Sequence, residues 1–514
     1  MNTTEMHVNE VIAAQSSELD PSAGATAIIL AAGHGKRIKS QRSKMLHKIW
    51  GKTTVERVSA AAHRGLEGAN ICVVVGIKAV SVMQTLGQRD RQVYAFQKEQ
   101  KGTGHAVQVA LEALPDFVRN QNIYVFPGDV GLLRADTVAE FRESFRNSGA
   151  DMMVLTGLFE GDPHENYYGR IVRTSASREA EEDQQNGKVI QIMESRDIHA
   201  LGDSAPYSVE MNSREYSFTR EDLLEIREFN TGVFAFRGPA LYQYIDSLDA
   251  DNVQGELYAT DLIKIFNDHE LTVKAAPASE TRNVLGFNNK SVLKEMNFIY
   301  QQEAYELLKD IIRFRDPEDF FMNDETVQSL VSLDKNGETL DIGIGKSVYI
   351  NGNIDFSPGV QIMDNCHITG NIKFGRNVLI HKGVELSTYE GQTLEIGDNT
   401  IIYQDDIIKG NTKIGRDCRI ESGVNITGSD RYPTRIGDRV MIKGTSYIFG
   451  TLVEENTWIE HCVLKTKRVH CHYDREGNVA PIRYIIPPPE GIDDVESIGD
   501  DREEYSWPPS DSPK

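Results

Sequence analysis

Two glycines, Gly33 and Gly35, follow the apolar run at residues 27–30, and five basic side chains (Lys36, Arg37, Lys39, Arg42, Lys44) occupy the next nine positions. Glycine lets a backbone approach a phosphate closely, and the N–H groups of such a turn can cradle its oxygens. The chain carries a formal net charge of −22, so a local concentration of cations predicts a site for a phosphate-rich ligand. Arg37 and Lys44 are the pair expected to hold a triphosphate and to offset charge on a departing pyrophosphate. Lys39 and Arg42 read as solvated surface. The pattern A-A-G-x-G differs from the G-x-G-x-x-G of dinucleotide sites, where a later acidic residue rather than a basic cluster does the recognition.

Three further groups could complete such a site. Gln97 offers a donor and an acceptor of the kind that reads a nucleobase edge, and Gly102 and Gly104 flank Thr103 just before a helical pattern. Asp129 directly follows the buried-strand run at 123–126. Ligands in open α/β sheets sit beyond the carboxyl ends of the strands, and a carboxylate there suits a hard cation such as Mg²⁺. Later come Tyr168, Gly169 and Arg170, then Glu194, then Asn230, Thr231 and Gly232, then Asn288 and Asn289. These amides and the carboxylate could bond sugar hydroxyls or complete a metal site. Taken singly, each also fits a surface residue, a helix start or a turn aspartate.

Elements of two kinds must position these groups. From residue 25 to 290, short apolar runs (71–75, 123–126, 152–155, 233–236) alternate with helical patterns, which predicts a mainly parallel, Rossmann-like sheet covered by helices. Residues 1–24 are polar and aperiodic and read as a flexible arm. Residues 174–227 read as an irregular insertion at the sheet's edge. A connector helix is expected over 291–320, with Val292, Met296, Ile299, Leu307 and Ile311 on one face and Pro317 closing it.

Beyond it an internal repeat takes over. Ile342, Val348, Ile354, Val360, Cys366, Ile372, Val378 and Val384 recur every six residues, and another apolar residue stands two places after each. The beat resumes from Ile396 to Ile426 and from Ile436 to Ile448. A period of six fits neither an α-helix nor a simple alternating strand. It predicts a left-handed hexapeptide-repeat parallel β-helix over 338–470, one aliphatic residue turned inward per hexad, with loops thrown out at 387–393 and 427–435. An irregular β-sandwich would not hold a fixed phase over so many repeats. Residues 471–514 form an acidic, proline-containing tail expected to be disordered. The cluster of His461, Cys462, His470, Cys471 and His472 lacks a recognised zinc spacing and reads as a strand end followed by a loop.

At 514 residues the chain exceeds one ordinary domain. Its acidity argues against general nucleic-acid or anionic-membrane binding. No apolar run reaches the length of a membrane span, and residues 1–24 lack the basic start and apolar centre of a secretory leader. Five scattered cysteines suit a reducing compartment. A cytoplasmic enzyme is the expectation.

In order and spacing, L-A-A-G-x-G-x-R-x-x-S-x-x-x-K-x-L-H from Leu30 and E-Q-x-G-T-G-H from Glu99 resemble the bacterial bifunctional N-acetylglucosamine-1-phosphate uridylyltransferase/glucosamine-1-phosphate acetyltransferase family. The similarity runs from Ala25 to about Phe320. It implies a nucleotide loop of Leu30, Ala31, Ala32, Gly33, Gly35, Arg37 and Lys44, with Gln97, Gly102 and Thr103 at the uracil. It further implies Asp129 and Asn288 on Mg²⁺, and Gly169, Glu194 and Asn230 on the amino sugar. Lys36 stands where the family usually has Thr, and Ser43 where it has Pro. The implied partners are UTP and a sugar 1-phosphate, and the implied assembly is a homotrimer through the β-helix.

The family's acetyltransferase segments, K-A-G-H-L-T-Y-L-G and N-Y-D-G, have no counterpart here. Residues 401–407 lack a histidine base, and 428–431 read Gly-Ser-Asp-Arg. The leading expectation is therefore a uridylyltransferase without the second activity. A nucleotidyltransferase for glucose 1-phosphate or another sugar phosphate, and a non-catalytic regulatory protein of the same architecture, are the alternatives.

Overall fold

The computed structural model describes residues 3–33, 38–174, 187–202, 206–211, 214–250, 255–287 and 289–484. The chain divides into two compact units, Met1–Tyr300 and Gln301–Lys514. No helix among the described residues is long and apolar enough to cross a membrane.

The first unit is a Rossmann-like domain around a nine-stranded mixed sheet. Its strands are β1 (Ala25–Ala31), β2 (Asn70–Val75), β3 (Gln92–Phe96), β4 (Asn122–Pro127), β5 (Met152–Leu158), β6 (Arg170–Arg173), β7 (Val189–Met193), β8 (Glu228–Arg237) and β9 (Val273–Pro277). The main order is β9-β5-β8-β4-β1-β2-β3. Within it β1 to β4 are mutually parallel, while β8 runs antiparallel to both β4 and β5. The run at 233–236 thus lies in a reversed strand of the sheet.

Apolar residues fill both faces of each inner strand because both faces are covered. In β1, Ala27, Ile29 and Ala31 enter the core on one side with Val73, Tyr124 and Phe126. Ile28 enters the core on the other side with Cys72, Val74, Ile123 and Val125. This double burial fixes the level at which each strand ends, and therefore where the loops beyond the strands begin.

Two expectations for this unit change. Residues 3–15 are not an arm but the helix Thr3–Gln15, with Val8 buried in the core. The chain after it follows the outer edge of β3: the Ser17 amide donates to the Gln92 carbonyl at 2.8 Å, and the Gln92 amide donates to the Ser17 hydroxyl at 2.9 Å. An unpaired edge strand invites pairing, and this segment satisfies it. The insertion is also ordered where described. The hairpin of Tyr207–Met211 and Arg214–Phe218 and the helix Arg220–Leu224 share a small core of Val209, Met211, Tyr216, Phe218 and Leu223 with Val172 and Ile190.

The connector helix spans Lys290–Leu308, shorter than expected. Arg313 and Phe314 already pair in parallel with Gly343 and Ile344, so the coil of the second unit starts before Pro317 rather than at 338.

That unit is a parallel β-helix of the left-handed hexapeptide class. Ile344 pairs with Ile362 and Ile362 with Ile380, so one coil takes eighteen residues, or three hexads. Each hexad turns two residues inward, not one: Val360 and Ile362, Cys366 and Ile368, Val378 and Ile380 are all buried. The corners need left-handed backbone. Asn365, Gly383, Asp405, Gly423 and Gly444 occupy one corner of successive coils with φ between 59° and 79°. These are the residue types that tolerate that region. The two breaks in the beat lie in loops between Glu385–Ser387 and Leu394–Ile396, and between Asn425–Gly428 and Thr434–Ile436. His461 is a corner residue at φ 46°, Cys462 points into the coil, and His470 lies 2.7 Å from Glu454. Of the expected tail, residues 471–484 are described: Ile482 bridges to Ile459. Residues 485–514 lie outside the described part.

Candidate functional site

The parallel register places the ends of β1 to β4 side by side. Ala31 pairs with Val75, Val75 with Phe96, and Leu30 with Pro127. Ala32 and Gly33, Gly76, Gln97 and Asp129 therefore all emerge along one carboxyl edge, the position where open α/β sheets bind ligands. Backbone bonds tie the loops together. Gly128 donates to the Leu30 carbonyl at 3.0 Å, Ile77 to that of Ala32 at 3.2 Å, and Gln97 to that of Val75 at 2.8 Å. Leu30 is half-buried, Ala31 and Ala32 are buried, and Gly33 is exposed at the start of the loop. Gly35 and Arg37 lie outside the described residues.

Gln97 is buried, and its side-chain nitrogen donates to the Gly102 carbonyl at 3.1 Å and lies 3.1 Å from His105 Nδ1. One amide hydrogen of Gln97 thus holds the backbone turn at Gly102. That turn is tight. Gly102 has φ 108°, and a Cβ there would stand 2.3 Å from the Leu257 carbonyl oxygen. Gly104 donates to that same oxygen at 2.8 Å, and the Thr103 hydroxyl accepts from the Ala259 amide at 3.1 Å.

Lys44 begins a single 3-10 turn, Lys44–Leu46, and its ammonium forms an ion pair with the Asp129 carboxylate. The ammonium also lies over the Phe287 ring, 5.3 Å from its centre. Gly286 lies close beside the carboxylate: a Cβ there would be in van der Waals contact, 3.7 Å from Asp129 Oδ2. Asn288 lies outside the described residues.

Asp129 opens into a cleft of about 440 Å³ whose other wall carries Gly169, Glu194, Arg196 and Asn230. Three neighbouring strands assemble that wall. Arg170 pairs with Met193 and with Phe229, which sets Gly169, Glu194 and Asn230 side by side. The Asn230 amide donates to the Gly169 carbonyl at 2.8 Å. Gly169 makes room for Glu194, since a Cβ would sit 3.0 Å from Glu194 Oε1. Pairing of β8 with β5 slips between Asn230 and Val233, and this bulge aims Asn230 into the cleft. Gly232, at φ 78°, packs its bare Cα where a Cβ would meet Pro127 at 2.7 Å.

Tyr167 and Arg196 escaped the sequence reading, which named Tyr168 and Arg170 but not what they do. Tyr167 stacks on Tyr168 and Tyr168 on Phe229, each pair with ring centres 4.4 Å apart, forming an aromatic side to the cleft. Burial, then Tyr167, then the Asp129 charge push the Tyr168 phenol far above its usual range. Arg170 is fully buried and bonds the carbonyls of Tyr168 and Pro163, pinning the loop that carries the tyrosines. Arg196 lies two residues beyond Glu194, in the first turn of the helix Ser195–Ala200. Adjacent tyrosines and an E-x-R step are the only sequence signals, and both are common. Outside the cleft, His164, Glu221 and Glu225 cluster on the surface, all exposed.

The arrangement provides one carboxylate at the floor, a cation paired to it, backbone turns at the strand ends, and amide and carboxylate groups opposite. Such a set can hold a polyphosphate at one side and a polyhydroxylated ligand at the other.

The chain is similar in sequence to known nucleotidyltransferases. Residues 27–199 match the MobA-like NTP transferase domain. The bifunctional protein GlmU of Lactobacillus helveticus is 30% identical over 376 residues, 73% of this chain and 69% of that one. Its counterpart from Heliobacterium modesticaldum is 31% identical over 374 residues, 72% and 70% of the two chains. The crystal structure of a UDP-glucose pyrophosphorylase complexed with UDP-glucose aligns with a TM-score of 0.39 at 12% identity, covering 54% of this chain and 99% of that one.

Proposed function

The chain belongs to the family of the bifunctional protein GlmU, its first unit being a nucleotidyltransferase domain, and from that premise we propose that it joins UTP to N-acetylglucosamine 1-phosphate, releasing pyrophosphate. The observation that carries this reading is the single cleft in which Asp129 faces Gly169, Glu194 and Asn230. A nucleotide-side group and sugar-side groups share one space.

In the proposed reaction a phosphate oxygen of the sugar 1-phosphate attacks the α-phosphorus of UTP in line, and the bond to pyrophosphate breaks. No protein nucleophile is needed, so positioning and charge complementarity supply the rate. Leu30, Ala31, Ala32, Gly33, Gly35, Arg37 and Lys44 form the triphosphate side. Gly102 and Thr103 shape the base side through their contacts with Leu257 and Ala259, and Gln97 holds that turn. Gly169, Glu194 and Asn230 bind the amino sugar.

Asp129, with Asn288, would hold Mg²⁺. The fit rests on the chemistry of Asp129: a hard carboxylate lining an open cleft of about 440 Å³, which suits an ion that keeps several waters and takes few protein ligands. When bound, Mg²⁺ would neutralise phosphate oxygens and charge on the leaving group. The β-helix serves as a trimer-forming module without the family's acetyl transfer, in a cytoplasmic enzyme. Glucose 1-phosphate remains the alternative sugar, because sugar choice rests on a few contacts.

The test is pyrophosphate release by purified protein with Mg²⁺, a panel of nucleoside triphosphates and several sugar 1-phosphates. UTP with N-acetylglucosamine 1-phosphate is expected to give the highest kcat/KM. No release from any pair would overturn the reading.

A further inference from the structure

Charge balance in the cleft leaves one requirement unmet. The second substrate brings a phosphate dianion into a space lined by two carboxylates, Asp129 and Glu194. Lys44 is already paired with Asp129. Among the described residues that line the cleft, Arg196 is the one cationic side chain.

Three features set Arg196 apart from an ordinary surface arginine. It makes no ion pair and no side-chain hydrogen bond among the described residues, although other arginines of this unit do, such as Arg173 with Glu228 and Arg142 with Glu67. It stands in the first turn of a helix, where the backbone dipole favours anions, so the local structure gives no reason for a cation there. Its backbone is nonetheless fixed: the amides of Asp197 and Ile198 both donate to the Glu194 carbonyl, at 2.9 and 3.1 Å, which locks Arg196 to the residue expected to bind the sugar. A charged group placed against local preference, with no partner among the described residues, marks a site whose partner is the ligand.

We infer that Arg196 binds the phosphate of the glycosyl phosphate through charge-assisted hydrogen bonds from its guanidinium. The inference rests on the proposed function and adds to it the group that recognises the anionic end of the second substrate. A planar guanidinium suits two phosphate oxygens at once, which a lysine cannot match.

The test compares Arg196→Gln and Arg196→Lys with the unaltered full-length protein in steady-state pyrophosphate release. Losing a hydrogen bond to a charged group predicts a KM for the sugar 1-phosphate raised roughly 10- to 100-fold in Arg196→Gln. The KM for UTP should stay within about twofold, with partial recovery in Arg196→Lys. Binding of free N-acetylglucosamine, which lacks the phosphate, should be equal in all three proteins, and the exposed position predicts an unchanged melting temperature. Wild-type turnover combined with an unchanged sugar-phosphate KM in Arg196→Gln would overturn this inference alone. Equal weakening toward free sugar and sugar phosphate would also overturn it, since the side chain would then only shape the pocket. Absence of wild-type turnover with every substrate pair would instead overturn the function on which it rests.

Discussion

Lys44 and Asp129 stand eighty-five residues apart in the chain and meet as an ion pair behind the cleft that Asp129 lines, with only 11% and 18% of their side chains exposed. The pair joins the basic loop to the end of the fourth strand. Each charge makes the other tolerable in a partly buried place, where a lone charge would be costly. Their pairing also means that neither can be changed without altering the other's surroundings.

Asp129→Asn keeps the shape and removes the charge. Turnover is expected to fall by roughly 10²–10³-fold or more, the scale seen when a group that stabilises transition-state charge is removed. The melting temperature should fall modestly, because the amide fills the space but deprives the Lys44 ammonium of this counter-charge. Pyrophosphate release and a thermal melt on the same preparation check this. Uridylyl transfer at the wild-type rate would contradict the role of the carboxylate.

Gly102→Ala forces a Cβ to within 2.3 Å of the Leu257 carbonyl oxygen, at a φ of 108° that side chains rarely adopt. Strain of this kind costs about 1–3 kcal/mol. The turn should open, and the KM for the nucleotide should rise while that for the sugar phosphate holds. Kinetics with each substrate varied in turn separates the two.

Asp406 lies fully buried in the β-helix, where its file of inward residues otherwise holds Val384 and Val424. One carboxyl oxygen accepts from the Val424 amide at 2.7 Å, and the other has no partner. Burial pushes this carboxyl up to about 8, from 3.8. Between those values the unfolded chain has released a proton that the folded chain keeps. Stability is therefore full at acid pH and falls as pH rises toward 8, by up to ~1.4 kcal/mol per pH unit. Chemical unfolding between pH 4.5 and 8.5 should show this slope, and Asp406→Asn should flatten it.

Removing residues 1–20 strips the cover from the third strand's outer edge. The shortened protein is expected to melt earlier and to scatter light on standing, because an uncovered strand pairs with others. A truncated protein that stays monodisperse and melts at the wild-type temperature would show that the edge needs no cover.

Much of this was readable from residue types, for reasons that differ by region. The hexad beat is visible because every coil repeats the same geometry, so one inward position recurs at fixed spacing. The second inward residue of each hexad was visible too, yet a single-residue rule overlooked it. Gly33, Gln97 and Asp129 could be grouped because each follows an apolar strand run, and parallel strands end at one edge.

What stayed hidden depends on contacts between distant segments. Nothing near Gln97 announces that its donor turns back to Gly102, and nothing near Gly102 announces Leu257. The helix Thr3–Gln15 did carry a signal, Val8, Val11 and Ile12 at helical spacing and all packed against the core, but the polar residues around them masked it. The hairpin in the insertion did carry a signal, the alternation of Tyr207, Val209 and Met211 and of Tyr216 and Phe218, but the surrounding charges obscured it. Tyr167 and Arg196 gain meaning only when three strands set Gly169, Glu194 and Asn230 in a row.

The eighteen-residue coil limits how such a chain can change length. Removing one residue from a straight side would rotate every later isoleucine out of the interior, whereas duplicating or deleting a whole coil keeps all three faces in phase. One exception is the corner where the loops after Ser387 and Gly428 leave the spiral: extra segments there cost the neighbouring coils nothing, which makes that corner the natural place to graft a foreign peptide.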